Sequence, residues 1–413
     1  MSEEQRPVLI LAGNHTTQPL WRGLSDHFDL CITHAQMASL AADVGIPGAY
    51  GMGKYMSAEA QEWAVNMAYH LSAIVQMDEN VNALGQIITQ AFSGSKVPNN
   101  FTEPYVHEWF PGFVGEHIRN QAVMLALTEK AIGDRKVAGC IVHEDVTPDM
   151  RALVRTCQQH GIPTIHIPHA NCFYVGEKWD IHTESISDHI LASGDYMRDW
   201  YLKWGYTGGI RVTGAPQWDG MFKDRPSRKE ARGVLGKWIT EDEFILVYAT
   251  TWGQLTSSRS GATSEEVLSN LTGAIEAAKE LGATLCIKMH PGEAQGNEQG
   301  YLNELKKAGV NGFITRAYNE YVLAAADCLL SHAPSNLCVQ AAIWGVPCAY
   351  CPTEDYEFPF PGPVTVRENA TWAVKMAMRV EKTWEHFAKN CNDAYPNGDA
   401  CERIVKEVVD ICR

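Results

Sequence analysis

Short, mostly apolar runs alternate with helical stripes along the last two thirds of the chain. The runs lie at residues 137–142, 164–167, 244–249 and 284–289, and segments with helical spacing lie between them. Such alternation is typical of strand–helix–strand units, which build parallel sheets. Ligands of parallel sheets bind at the carboxyl ends of the strands, and polar clusters follow several of these runs. The pattern predicts an α/β protein whose site lies along its strand ends.

The stretch 281–350 carries two polar clusters directly after predicted strands. The elements predicted here are the strand Thr284–Met289, the helix Glu320–Ala326, the strand Cys328–Ser331 and the helix Asn336–Trp344. The first strand ends at His290-Pro291, and the last helix opens with Ser335-Asn336. An imidazole at a strand end and the free N–H groups of a helix start both suit a phosphate. We therefore expect a nucleotide monophosphate or diphosphate in this half of the chain.

The first half offers candidates for proton transfer. Glu144 and Asp145 follow the strand 137–142, and His169 follows the strand 164–167, so we expect the three side chains to approach one another. A general base with an orienting partner has this arrangement, although a buried histidine satisfied by the backbone would also fit His169. His15 follows the first strand, 7–12, in the loop Gly13–Thr17. It faces the cleft or bonds its own backbone, and no GxGxxG fingerprint is present.

Three further segments lack clear periodicity. Residues 97–113 form a long aromatic loop that acts either as a lid or as a plug over the core. Residues 223–232 are predicted to be a linker because they are rich in charge and turn formers. Residues 257–264 are small and polar, and Arg259 within them either closes on a phosphate or remains a solvated loop charge. Beyond residue 350 we predict a helix at about 370–386 and a last helix at about 399–411.

Composition narrows the function classes. The formal charge of −15 argues against a sequence-independent grip on nucleic-acid backbones. The N-terminus is acidic, so we expect no secretory signal. Every apolar run is shorter than a bilayer requires, so we expect no membrane span. Twelve scattered cysteines suggest reduced thiols and a cytoplasmic location. We interpret the CxxC spacing of Cys348 and Cys351 as two buried thiols, with a zinc knuckle or redox site as the alternative.

Several stretches in the same order resemble the glycosyltransferase-B (GT-B) superfamily, near its CDP-glycerol glycerophosphotransferase, polysialyltransferase and capsule-synthesis branch, which is related to UDP-GlcNAc 2-epimerases. They are GIPTIHIPHA, DHILASGDYMRDWYLKWGY, VTGAPQWD, LVYATTW, IKMHPGE, SHAPSNLCVQAAIWGVPCAY and DAYPNGDACERIVKEV. The resemblance runs from about residue 137 to the C-terminus. It implies two Rossmann-like, doubly wound α/β domains facing across a cleft: an acceptor domain at 1–222, a donor domain at 223–386 and a closing C-terminal helix at 387–413.

The resemblance also implies roles for residues on the donor side. The nucleotide would contact Thr251, Trp252, His290, Pro291, Ser331, His332, Ser335, Asn336 and Gln340. Gln340 stands where the family has a glutamate that binds ribose hydroxyls, and Ala170 stands where the family has a glycine after the histidine. The chain therefore departs from the family pattern at two positions: Gln340 carries a neutral amide instead of a carboxylate, and Ala170 adds a methyl group.

These features together predict a metal-independent, base-assisted glycosyltransferase that needs no cofactor and uses a nucleotide-sugar donor such as a UDP-sugar. The acceptor is a soluble glycan, a small metabolite, a protein side chain or a hydroxymethylated base in phage DNA. Aromatic and basic pairs at Trp21-Arg22, Lys54-Tyr55 and Trp109-Phe110 are the local clues for DNA. The alternatives are a UDP-sugar 2-epimerase or a glycerophosphotransferase on the same fold, and a non-catalytic scaffold.

Overall fold

The coordinates are a computed structural model. They describe residues 6–75, 110–145, 147–169, 185–250, 264–291, 293, 297–333, 335–352, 362–365, 367–379 and 384–413.

The first domain is built on a sheet of seven parallel strands in the order β3-β2-β1-β4-β5-β6-β7. The strands are β1 (Val8–Leu11), β2 (Asp29–Ile32), β3 (Ala49–Gly51), β4 (Val137–Val142), β5 (Thr164–His166), β6 (His189–Ala192) and β7 (Gly209–Val212). All four residues of β1 are fully buried because helices cover both faces of the sheet. The strand order reverses between β1 and β4, where doubly wound sheets open a ligand crevice.

The second domain repeats this plan with five parallel strands in the order β10-β9-β8-β11-β12. The strands are β8 (Ile245–Ala249), β9 (Thr284–Lys288), β10 (Gly312–Thr315), β11 (Cys328–Ser331) and β12 (Cys348–Tyr350). Separate cores lie on its two faces. The order reverses between β8 and β11, so the second crevice lies where Thr250 and His332 follow these strands.

Helices connect the strands and cover the sheets. In the first domain they are α1 (Trp21–Ser25), α2 (Ala35–Asp43), α3 (Ala58–Val75), α4 (Phe110–Asp134), α5 (Pro148–Gln159), α6 (Asp195–Lys203) and α7 (Asp219–Lys223). In the remainder they are α8 (Arg228–Leu235), α9 (Ser264–Leu281), α10 (Asn297–Ala308), α11 (Asn319–Ala325), α12 (Asn336–Trp344), α13 (Ala370–Ala377), α14 (Trp384–Cys391) and α15 (Ala400–Ile411).

The last helix, α15, returns to the first domain. Ile404, Val408 and Val409 form its apolar stripe and pack into the same core as the strands β1 and β2. The buried Asp219 caps the helix, because its two carboxylate oxygens accept the N–H groups of Ala400 at 3.1 Å and Cys401 at 2.7 Å. The aspartate of the GAPQWD stretch therefore fixes the chain crossover, and the predicted closing helix is confirmed.

Three predicted segments differ from the structure. Residues 110–113 of the loop predicted at 97–113 are helical, because α4 starts at Phe110, and residues 97–109 lie outside the described residues. The predicted linker at 223–232 overlaps α8, which starts at Arg228 behind the N-cap Ser227. The charged residues that suggested a linker belong to a helix that packs on the domain. One of them, the buried Arg232, pairs with Asp327 and donates to backbone carbonyls of the segment after α8. The single helix predicted at 370–386 is instead two helices, α13 and α14.

A candidate donor and acceptor site between the two sheets

The end of β4 in the first domain is a cluster of imidazoles. The carbonyl oxygen of His143 lies 3.3 Å from Nε2 of His166 and 3.3 Å from Nδ1 of His169. A carbonyl can only accept hydrogen bonds, so both of these ring nitrogens carry hydrogen. The neutral His169 then has its lone pair on Nε2, the atom that can accept a proton.

Asp145 lies beside His166 and bonds the segment Ser185–Ser187. It is fully buried, and its Oδ2 accepts four hydrogen bonds between 2.7 and 2.9 Å, from both hydroxyls and two N–H groups of the segment Ser185–Ser187. Burial would raise its pKa, but the charge of His166 and these hydrogen bonds outweigh burial and lower it. Asp145 and His169 do not form the predicted pair, because Asp145 faces His166, with Oδ1 3.7 Å from Nδ1. This geometry favours an anchoring role for Asp145 over proton transfer.

Burial and repulsion between imidazoles lower the pKa of two histidines beside His169. Burial, together with repulsion from His169 and further imidazoles, lowers the pKa of His143 to about 3. Burial and His169 also lower the pKa of His15, which is exposed at the tip of its loop. The partly exposed Glu144 lies with Oε1 4.0 Å from Nε2 of His143 and accepts a hydrogen bond from Thr147. The structure thus gathers His15, Glu144 and His169 around His143.

The loop of His15 owes its shape to Asn14. The Oδ1 atom of Asn14 accepts the N–H groups of Thr16 at 2.9 Å and Thr17 at 3.1 Å, which closes a turn of the kind that asparagine favours. The backbone around His15 is thus held by the side chain of Asn14. Of the two sequence interpretations, the exposed position beside His169 fits a side chain directed to the cleft.

The end of β9 in the second domain presents His290. Its N–H donates to Oγ1 of Thr250 at 2.9 Å, and that hydroxyl donates to Oε2 of the buried Glu293 at 2.5 Å. Tyr301 and Asn297 donate to Oε1 of Glu293 at 2.5 and 3.2 Å. The network fixes the backbone while the His290 and Pro291 side chains stay exposed. Local burial and the nearby Lys288, opposed by Glu293, lower the pKa of His290.

The end of β11 leads into α12. The hydroxyl of Ser331 donates to the carbonyl of Ala333 at 2.6 Å, and His332 is buried with its Nδ1 3.4 Å from the hydroxyl of Tyr248. Burial lowers the pKa of His332 to about 4. Ser335 is the N-cap of α12 but its side chain makes no capping hydrogen bond. The first-turn N–H groups therefore have no side-chain oxygen from the cap, which suits an anion at this helix start.

The two crevices meet at one hydrogen bond. The side-chain amide of Asn336, the first residue of α12, donates to the carbonyl oxygen of His169 at 3.0 Å. Further along α12, the buried Gln340 accepts a hydrogen bond from Asn319 at 2.8 Å, so its carbonyl oxygen is already occupied. The helix start predicted for phosphate thus touches the residue predicted as base.

Some sequence predictions fall outside the described residues, namely Thr251, Trp252, Arg259 and Ala170. The sequence analysis did not predict three residues that shape the candidate site. They are His143, His166 and Glu293. For His166 a signal existed, since a histidine in a strand buried on both faces must find polar partners. The carbonyl of His143 carries no sequence signal.

The local clues for DNA binding are weakened. Trp21 is 1% exposed and Tyr55 is 6% exposed, so neither ring can stack on a base. The ammonium of Lys54 lies over the ring of Tyr50, 3.2 Å from its centre. Trp109 lies outside the described residues, as do the details of the Phe110 side chain.

The described part of the chain also bears on the thiols, on metal binding and on membrane spans. Cys348 and Cys351 are buried free thiols, as interpreted from the sequence. No group of three or more histidine, cysteine, aspartate and glutamate side chains among the described residues is arranged to hold a metal ion. None of the described helices is both long and apolar enough to cross a membrane.

Solved structures share this architecture. UDP-GlcNAc 2-epimerase from Methanocaldococcus jannaschii, solved with UDP-GlcNAc and UDP, aligns over 98% of this chain and 99% of its own with a TM-score of 0.60 and 16% identity. A putative UDP-N-acetylglucosamine 2-epimerase from Listeria monocytogenes aligns over 98% and 96%, with a TM-score of 0.53 and 12% identity. A variant of the wall teichoic acid polymerase TagF, soaked with CDPG, aligns over 98% and 89%, with a TM-score of 0.50 and 12% identity.

At the sequence level, no protein-family profile and no curated protein matches the chain. Identities this low establish the fold alone. The two parallel α/β domains, together with an alignment that covers 98% of this chain, confirm the fold that the motifs indicated. The chain has the GT-B fold.

Proposed function

We propose that the protein is a glycosyltransferase that moves a sugar from a nucleotide-sugar donor to a hydroxyl group of the acceptor. The observation that carries this proposal is the hydrogen bond of 3.0 Å from the Asn336 amide to the His169 carbonyl. A transferase needs a base for the acceptor and an anion site for the leaving group on either side of one reacting carbon. The contact brings the two candidate halves of such a site together.

The proposed donor lies along the ends of β9 and β11. The start of α12 stabilises the negative charge on the diphosphate through its dipole and first-turn N–H groups. His290, whose lowered pKa makes it largely neutral at pH 7, contributes a hydrogen bond from its exposed imidazole. Thr251, Trp252 and Arg259 belong to the same proposal. The electrostatic role assigned here to the helix start requires no metal ion.

The proposed base is His169. Its Nε2 takes the proton of the acceptor hydroxyl as that oxygen bonds to the anomeric carbon of the sugar and the bond from that carbon to the diphosphate oxygen breaks. The carbonyl of His143 supports the proposal, because it holds Nδ1–H and so leaves the lone pair on Nε2. Glu144 and His15 stand around the same point as auxiliary groups that orient the acceptor.

Product analysis tests the proposal. The purified protein is incubated with UDP-, CDP-, GDP-, dTDP- and ADP-sugars, each with a panel of sugar and polyol acceptors, and released nucleotide and product mass are measured. We expect acceptor-dependent release of a single nucleotide and its loss in His169→Ala. Release that does not depend on the acceptor, or full activity of His169→Ala, would contradict the assignment.

A 2-epimerase is the second candidate, favoured by alignment over 98% of this chain with an enzyme solved with UDP-GlcNAc and UDP. The same incubations discriminate the two, because an epimerase changes the sugar of the nucleotide-sugar and needs no acceptor. Chromatographic separation of UDP-GlcNAc from its 2-epimer, without added acceptor, is the decisive readout. Appearance of that epimer would replace the transferase proposal.

A further inference from the structure

His166, the last residue of β5, is a buried histidine with an oxygen beside each ring nitrogen. Its exposed fraction is 3%. On one side, Nε2 lies 3.3 Å from the carbonyl oxygen of His143. On the other side, Nδ1 lies 3.3 Å from Oγ of Ser185 and 3.7 Å from Oδ1 of Asp145. The ring is therefore held between a backbone carbonyl and a carboxylate.

The hydroxyl of Ser185 decides the role of Nδ1. Ser185 donates its one hydroxyl hydrogen to Oδ2 of Asp145 at 2.7 Å, so its oxygen is left to the ring as an acceptor. Nδ1 of His166 must then carry a hydrogen to bond that oxygen. The carbonyl of His143 can only accept, so Nε2 carries a hydrogen as well. A histidine with hydrogen on both ring nitrogens is an imidazolium cation.

The carboxylate of Asp145 supports this charge. Asp145 is fully buried, and its Oδ1, which faces Nδ1 of His166, accepts no hydrogen bond within the described part of the chain. Buried charges are normally paired, because an isolated charge is costly to remove from water. Burial would raise the pKa of Asp145, and the charge of His166 is the largest of the effects that lower it. A neutral His166 would leave this carboxylate without its cation.

The other titratable groups near the ring do not take the place of that cation. They are His143 and Glu144 after β4, His169 after β5, Tyr201 of α6, and Tyr206, whose hydroxyl bonds the carbonyl of Ser187. Burial, followed by the charges of His169 and His166, lowers the pKa of His143 to about 3. His143 is therefore neutral at pH 7.

The cation is connected to the proposed base through one carbonyl. The carbonyl oxygen of His143 accepts Nε2–H of His166 and Nδ1–H of His169, each at 3.3 Å. Its two lone pairs allow both bonds at once. Asp145 and Ser185 hold His166 from the opposite side. His166 thereby fixes the oxygen against which the ring of His169 is oriented.

We propose that His166 is a buried imidazolium at neutral pH and the positioning residue of His169. The charge rests on the hydrogen-bond geometry, whereas the part played in catalysis rests on the proposed function. His166 transfers no proton itself, because both of its nitrogens bond groups of its own domain. It holds the His143 carbonyl, and that carbonyl keeps hydrogen on Nδ1 of His169 and the lone pair on Nε2.

Nitrogen chemical shifts test the charge directly. Spectra of protein labelled with ¹⁵N-histidine are recorded between pH 6 and 8, and the His166 signals are assigned by their loss in His166→Gln. We expect both ring nitrogens of His166 to show the shift of an N–H nitrogen throughout. A shift typical of a lone pair on either nitrogen would overturn the charge. Ser185→Ala, which removes one partner of Nδ1, assigns the same signals if His166→Gln fails to fold.

The spectrum of His169 and the kinetics test the positioning. His166→Phe removes both N–H groups, so we expect the two nitrogen shifts of His169 to approach each other as its second tautomer is populated. We expect kcat to fall at least about tenfold with the dissociation constant of the donor unchanged, because a charge-assisted hydrogen bond is lost. His166→Gln, which restores a neutral donor, should recover part of the rate. His160→Gln, which alters an exposed histidine bonded to Glu129, is the control and should change neither readout.

The outcomes separate the positioning from the function. Unchanged His169 shifts and unchanged kcat in a folded His166→Phe variant overturn the positioning and leave the function standing. A tautomer change in His166→Phe, in a protein whose wild type transfers no sugar, supports the positioning and removes the proposed function.

Discussion

The carboxyl ends of the two sheets are built from similar strands but carry opposite chemistry. At the first sheet, imidazoles surround the carbonyl of His143, and Oδ2 of the buried Asp145 accepts four hydrogen bonds. At the second sheet, Glu293 accepts hydrogen bonds from Thr250 and Tyr301, and the exposed His290 and the start of α12 are the candidate donors for a ligand.

The difference fits the two tasks of the proposed transferase, which are proton transfer from the acceptor and binding of the donor phosphates. An imidazole whose tautomer is fixed by a hydrogen bond suits proton transfer, and His169 of the first sheet is such a group. Hydrogen-bond donors suit a phosphate, and the second sheet offers the imidazole of His290 and the first-turn N–H groups of α12 as candidates. In both cases a buried carboxylate accepts hydrogen bonds from its own domain. Asp145 holds the segment Ser185–Ser187, and Glu293 holds Thr250, whose hydroxyl accepts the N–H of His290.

The largest expected effect separates the two sheets by kinetics. His169→Ala should lower kcat by about 10²–10⁴ through loss of the general base, with the donor affinity unchanged. His290→Ala should instead weaken nucleotide binding. Steady-state kinetics with varied donor give both parameters, and His160→Ala, at the end of α5, is the control. A fall in donor affinity in His169→Ala would break the division between the sheets.

The next effect concerns the anchor of the first sheet. Asp145→Asn replaces an acceptor of four hydrogen bonds with an amide that must also place two donors, so we expect a loss of about 3 kcal/mol in the free energy of unfolding. Urea unfolding followed by tryptophan fluorescence measures it. Glu144→Gln, which alters a partly exposed side chain with one bond of 3.3 Å, should change stability little. Equal losses in both variants would contradict the anchoring role.

A third effect appears in the pH dependence of stability. The pKa is about 4 for His332 and about 3 for His143, while histidine in an unfolded chain titrates near ~6.5. Below ~6.5 the unfolded state binds more protons, so this stability is present above that pH and is lost as pH falls toward the folded values. Each histidine contributes a slope of about 1.4 kcal/mol per pH unit in that window.

The pH effect is measured by urea unfolding between pH 7 and 4.5. His332→Phe should flatten the slope, because the buried imidazole no longer discriminates against protonation in the folded state. His70→Gln alters an exposed histidine and should leave the slope as it is. An unchanged slope in His332→Phe would mean that the buried ring accepts a proton as readily as an exposed one.

The smallest effect tests the connection between the sheets. Asn336→Ala removes the hydrogen bond to the His169 carbonyl, and a single such bond contributes about 1 kcal/mol, so we expect kcat to fall about fivefold. Donor affinity should change less than kcat, since the N–H groups of the α12 start remain. Asn336→Ser, which keeps a short donor, should recover part of the rate. A loss confined to donor binding would place Asn336 on the phosphate instead.

Much of this fold could be predicted because its central strands are buried on both faces. Runs such as Ile245–Ala249 and Thr284–Lys288 are continuous and apolar, so pattern alone identified them. The strands β2, β3 and β10 were not predicted; β3 and β10 lie at the two sheet edges, and every residue of both is only partly buried. Polar residues at strand ends located His290, Ser335 and His169 for the same topological reason.

The rest of the site depends on partners distant in sequence. Asp145 is an anchor because the chain returns at Ser185–Ser187, 40 to 42 positions later. The tautomer of His169 is set by a backbone carbonyl, which no residue type encodes. Lys288 did leave a signal, since it is a charged residue at the end of a buried strand, but its surroundings are visible only in three dimensions.

The measurement that tests the account most directly is nucleotide binding by the wild type, His290→Ala and His169→Ala. Titration calorimetry with UDP, CDP, GDP, dTDP and ADP gives the dissociation constants. We predict that one nucleotide binds the wild type and His169→Ala with equal affinity and binds His290→Ala clearly more weakly. Binding that survives in His290→Ala and disappears in His169→Ala, or no binding by the wild type, would contradict the assignment of the donor to the second sheet.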